Sequence, residues 1–161
     1  MTAMMPAASS EAAPPTSMIR RLTGLVAKLI PLSIVQLVAR VGIAGVFWKS
    51  GLTKVDRDWN VTDLTVSLFR DEYRVPLLPA ELAAHLGAYT ELAMPIFLVL
   101  GLFTRLAALP LLGMTFIIGV FVYPAAWDTH LTWAGILLLI IARGPGLFSA
   151  DALLGLERRA L

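Results

Sequence analysis

Apolar residues fall into four long runs along the chain, separated by short breaks rich in charge, glycine or proline. The first run, about 32–51, follows Pro31, a residue suited to a first helical turn. The second, 80–105, is long enough to cross a bilayer as a helix. The third covers about 106–123 after a turn of only a few residues around 101–105, so runs two and three predict an antiparallel hairpin. The fourth, about 129–142, is short against the ~17–25 residues that a spanning helix needs, and must borrow length from Trp127 or tilt little. Arg143-Gly144-Pro145-Gly146 closes it with a basic residue, a glycine and a proline, which stop a helix well.

The breaks carry weaker patterns. Val61, Leu64, Leu68 and Phe69 recur at helical spacing opposite Asp63, Arg70 and Asp71, predicting a short amphipathic helix on the membrane or capping the spans. Ser149 can cap a short amphipathic tail helix carrying Glu157, Arg158 and Arg159. Residues 1–17 lack periodicity and read as a disordered tail. Arg20-Arg21 before an apolar stretch resembles an export signal only superficially, because Lys28 and Pro31 interrupt the run, and an uncleaved first helix is expected.

Together these patterns predict an all-α, polytopic membrane four-helix bundle with a short amphipathic helix between spans one and two. The expected segments are a tail and approach over 1–28, a transmembrane domain over 29–147 and an amphipathic tail over 148–161. Composition agrees: of 161 residues 58% are hydrophobic, and the mean hydropathy of +0.78 is too high for an ordinary soluble domain. Lys and Arg cluster beside one set of span ends, at Arg20, Arg21, Lys28, Arg105, Arg143, Arg158 and Arg159. By the positive-inside rule both termini are expected in the cytoplasm of a bacterial cell, with the protein in its inner membrane. Tyr123, Trp127 and Trp133 then form an aromatic belt at the outer interface.

Charge and cysteine content narrow the chemistry. The net charge is +2 with the basic residues spread along the chain, which gives no support to a nucleic-acid partner. The absence of cysteine removes disulfides, thiol chemistry and Cys-ligated metal centres. No metal site is expected and no intrinsic cofactor; the two histidines alone, without CxxCH or HExxH, do not argue for haem.

What stands out is ionisable side chains inside apolar runs, each costing at least ~2.5 kcal/mol unless paired. At ~1.5 Å per residue, Arg40 lies ~12 Å into the first run and Glu91 ~17 Å into the antiparallel second. Their depths agree within a turn, so an Arg40–Glu91 ion pair is expected, either fixing helix packing or binding a ligand and handling protons. Gln36, one turn from Arg40, is placed to help satisfy the guanidinium. A second group is expected near the outer surface, where Lys49, Glu81, His85, Tyr89, Tyr123, Asp128 and His130 would surround a polar mouth above that pair. For Lys49 the alternative is an interfacial anchor, and for His85 a plain hydrogen bond to Glu81.

The segments RVGIAGVFWKSGLTKV, VPLLPAELAAHLG, ELAMPIFLVLGLFTRLAAL and THLTWAGILLLIIARGPGLFSAD resemble the DoxX-like family of bacterial four-helix membrane proteins. The telling positions are Arg40 with Gly51 and Lys54, Glu91 before 101–105, and Gly144-Pro145-Gly146 with Asp151. The resemblance implies an accessory or quinone-interacting subunit of a membrane redox system, with quinone as the ligand and the lipid bilayer and redox proteins as partners. The stretch around Trp127 to Trp133 looks like a branch linked to metal stress. A small transporter, a metal-stress accessory protein and a non-catalytic scaffold are the alternatives.

Overall fold

The computed structural model describes residues 18–20, 23–25 and 30–156, in two units, Met1–Pro31 and Leu32–Leu161. In the first unit residues 18–20 and 23–25 are helical, and the Thr23 hydroxyl donates to the carbonyls of Ile19 and Arg20. The expected tail over 1–17, and Glu157, Arg158 and Arg159 of the expected tail helix, lie outside the described residues.

The second unit is all-α apart from an isolated antiparallel bridge between Val55 and Val61, with no sheet among the described residues. Four of its described helices are long and apolar enough to cross a membrane: Leu32–Leu52, Ala80–Leu100, Thr104–Val122 and Pro124–Arg143. Helix α1, Leu32–Leu52, buries Gln36, Arg40, Ile43, Ala44, Phe47 and Gly51, a stripe at helical spacing whose first two members are polar. It packs on α3, Ala80–Leu100, whose buried residues are three alanines, Ala83, Ala84 and Ala88, with Glu91, Leu92, Pro95 and Leu98. Small residues let the two backbones approach closely. A Cβ at Gly51 would meet Leu92 Cγ at 2.9 Å and Glu91 Cβ at 3.1 Å, so this glycine fixes the register of α1 against α3.

The short helix α2, Asp63–Leu68, begins at Thr62, whose side chain accepts from Thr65 N at 3.2 Å. It widens into a π turn over Phe69–Tyr73 and ends where Arg74 turns left-handed at φ 44°. Its inward face is Thr65 and Phe69; Leu64, expected on the apolar side, is 71% exposed. The face is rotated because Phe69 must reach Ala83 and Ala84 on α3, where Gly87 leaves room for its ring.

Gly101, left-handed at φ 68°, ends α3 and donates to Leu98 O, while Leu102 N donates to Phe97 O. Helix α4, Thr104–Ile117, follows at once and continues as a π turn over Ile118–Val122. A 3-10 turn, Pro124–Ala126, leads directly into α5, Trp127–Arg143. The fourth span therefore starts at Pro124 and has 20 residues, which corrects its expected shortness: Thr129 and His130 are already inside the helix. Helix α6, Ala150–Leu153, is capped by Ser149 as expected.

Helix α4 packs on α3 and α5, and α5 also packs on α1. Ile43, Phe47, Leu98, Ala108, Leu111, Leu137 and Ile140 form the shared core. Val38, Val41, Ile96, Leu106, Phe116 and Leu138 point outward, giving the helices the apolar exterior that lipid requires.

Candidate functional site

Arg40 and Glu91 do not meet. Register explains why: Gly51 seats the end of α1 against Glu91 and Leu92, which puts Arg40, eleven residues earlier, ~16 Å along the axis from that level. The matched depths assumed helices that start flush, whereas α1 is staggered so that Arg40 faces the end of α3.

There the fully buried guanidinium donates through Nη1 to Leu98 O at 2.9 Å and Val99 O at 3.4 Å, and through Nη2 to Phe148 O. The last carbonyls of a helix carry the negative end of its dipole, so they hold the two Nη groups of the buried cation; Nε has no hydrogen-bond partner, and the Asp151 carboxylate acts on the guanidinium electrostatically. Gly101 makes this possible, since a side chain there would collide with Arg40 Nη1 and Ser149. Gln36 does not assist Arg40; its Nε2 donates to Arg143 O at 2.9 Å and Gly144 O at 3.1 Å, at the end of α5. Asp151 completes this end by accepting from Phe103 N at 2.8 Å, Thr104 N at 3.0 Å and Thr104 Oγ1 at 2.8 Å, capping α4. Arg40, Gln36 and Asp151 thus tie helix ends together.

Glu91 instead pairs with Lys54, Oε2 to Nζ at 2.6 Å, with side-chain exposures of 3% and 12%. Ser50 joins both, donating to Glu91 Oε1 at 3.3 Å and accepting from Lys54 Nζ at 2.9 Å. Ser50 and Lys54 lie one turn apart where α1 ends, and the stagger that removes Arg40 from Glu91 brings these two beside it.

This cluster forms one wall of a cavity of about 410 Å³ between α1, α3, α4, α5 and the Phe69–Tyr73 turn. Phe47, Met114, Ile117, Val122 and Trp133 make much of the lining apolar. The polar remainder is Ser50, Lys54, Thr90 and Glu91 on one side and Tyr73, Tyr123 and His130 on another. The Tyr73 and Tyr123 rings meet edge to face with centroids 5.9 Å apart. Burial, and after it the neighbouring Tyr123 hydroxyl, pushes the Tyr73 phenol up to about 12, so it is neutral at physiological pH and available as a donor. His130 is buried, packs edge-on against Trp133 at 5.4 Å, and its Nδ1 has no hydrogen-bond partner.

Of the residues expected to surround an outer mouth, Tyr123 and His130 line the cavity and the other five do not. Lys49 and Asp128 are exposed. His85 Nδ1 sits 2.8 Å from Glu81 O, and Tyr89 donates to Trp59 O at 3.3 Å. The i, i+4, i+8 face of Glu81, His85 and Tyr89 points away because Ala84, Ala88 and Glu91 occupy the inward face of α3. Sequence reasoning missed Ser50, Tyr73, Thr90 and the role of Lys54. A signal existed for Ser50 and Lys54, two polar residues four apart at the end of an apolar run; Tyr73 enters only through the π turn, which no periodicity announces.

The fold is therefore that of a multi-pass helical membrane protein with a mostly apolar, partly open cavity among its helices. The DoxX family profile matches residues 35–124, and the chain belongs to that family. It is also 30% identical to an uncharacterized protein of Haemophilus influenzae over 131 residues, covering 73% of this chain and 82% of the relative. No solved structure matches it.

Proposed function

We propose that the protein is a quinone-binding accessory subunit of a membrane redox system, a four-helix bundle in the bacterial inner membrane with both termini cytoplasmic. The observation that carries this reading is the make-up of the cavity. Its walls suit an aromatic ring, and its polar lining brings together the Lys54–Glu91 ion pair, two phenols and the His130 imidazole. A quinone needs hydrogen-bond donors at its two carbonyls, an apolar seat for the ring and a nearby group that exchanges protons. Tyr73 and Tyr123 supply donors, and Glu91 with His130 supplies the proton-exchanging groups.

Trp133 in the cavity wall provides the readout, because a bound quinone quenches its fluorescence. Saturable quenching by a quinone analogue is expected for the purified protein, weakened about tenfold or more in Glu91→Gln and His130→Ala while both variants keep their helical content; tenfold corresponds to roughly one lost hydrogen bond to a charged or buried group. If the parent shows no saturable quenching and both variants match it in a cellular redox-stress assay, a non-catalytic scaffold is the better reading.

A further inference from the structure

On the outside of α4 and α5 lies a second depression, a groove of about 730 Å³ walled by Leu109, Phe116, Val120, Leu131 and Leu138. It is almost entirely apolar, and two residues, Gly113 and His130, line both this groove and the polar cavity. They stand at the boundary between the two spaces. At Gly113 a Cβ would meet nothing within 4 Å, so the glycine leaves open space where a side chain would stand. At Gly119, which lines only the groove, a Cβ would come within 3.3–3.4 Å of the His130 ring, so this second glycine is what lets the imidazole lie against α4.

We propose that the cavity and groove form one bipartite site for a quinone with a single long apolar chain: the ring sits beside Lys54, Glu91 and Tyr73, and the chain passes Gly113 and His130 to lie between α4 and α5. This rests on the reading of the cavity as a quinone seat and adds the class of quinone and its route of entry. The chain would gain little from leaving lipid, since a bilayer is as apolar as the groove; what selects a chained ligand is that its ring can reach the cavity sideways without detaching its tail from the membrane. Of the two residues that line both spaces, His130 is the polar one.

The test uses the full-length protein in lipid nanodiscs and a quinone carrying a photoreactive diazirine midway along its chain. Adducts in residues 109–120 and 131–138, competed away by a tail-free quinone, are expected. Gly113→Leu, whose side chain would enter the open space at the boundary, is expected to lower those adducts about tenfold without lowering the thermal midpoint, because leucine also favours the helix over glycine. Competed adducts that lie on other faces, or groove adducts unchanged in Gly113→Leu, would overturn the bipartite site and leave the cavity reading standing. If the tail-free quinone competes for no adduct at all, the cavity reading falls and the bipartite site with it.

Discussion

Two ionisable residues buried in one membrane protein need not be each other's partners, and Arg40 and Glu91 show how each finds another solution. Arg40 binds three carbonyl oxygens, while Glu91 binds Lys54 and Ser50. The two sites are about seven residues apart along α3, ~10 Å, far enough for independent behaviour. Arg40→Leu and Glu91→Leu should therefore lower thermal stability additively, within about 0.5 kcal/mol. By contrast Lys54→Met and Glu91→Leu should each cost about 3 kcal/mol by leaving a charge unmatched, and the double variant should recover much of that loss. Detergent unfolding of the six proteins, parent included, measures both cycles. A coupling energy in the Arg40 cycle as large as that in the Lys54 cycle would contradict this assignment.

Tyr73 makes a pH prediction of known sign. An unfolded chain loses a tyrosine proton near 10, whereas the folded protein holds it to about 12. Below 10 the phenol is neutral in both states and folding is unaffected by its titration. As pH rises from 10 towards 12 the unfolded state deprotonates first, so stability falls across that window. Melting curves in alkaline buffers should show this fall in the parent and a shallower one in Tyr73→Phe.

At the scale of elements, the ends of helices decide the architecture. The turn between α3 and α4 is only three residues long, and the helix termini on either side of it are served by groups distant in sequence: Arg40 from α1 on the carbonyls of α3, Asp151 from α6 on the amides of α4. Asp151→Ala removes three accepted hydrogen bonds including the α4 cap. A loss of about 1–2 kcal/mol is expected, at the upper end of what a cap contributes because the group is buried. Thermal unfolding of this variant beside Ser149→Ala, which removes the cap of the four-residue α6 and should cost less, separates the two contributions.

For the whole molecule, orientation follows from the distribution of lysine and arginine between the two sets of span ends. Reporter fusions after Arg105 and after Arg159 are expected to report cytoplasm, and one within 56–74 the opposite side. A C-terminal fusion that reports the outside would mean that the fourth apolar segment does not cross, despite its 20 residues.

The four long apolar helices, the hairpin at 101–105, the helix stop at Gly144 and the Ser149 cap were legible in the sequence alone. Hydrophobic run length and the left-handed preference of glycine are local properties, so they survive whatever the helices pack against. Partner choice among buried polar groups was not legible. It depends on how far one helix slides along another, and that stagger is set by single close contacts such as Gly51 against Leu92, which leave no periodic trace in either helix. The cavity is a property of that packing too: Ser50, Lys54, Tyr73, Glu91 and His130 come from four separate stretches of chain, and a slide of two turns between α1 and α3 would scatter them.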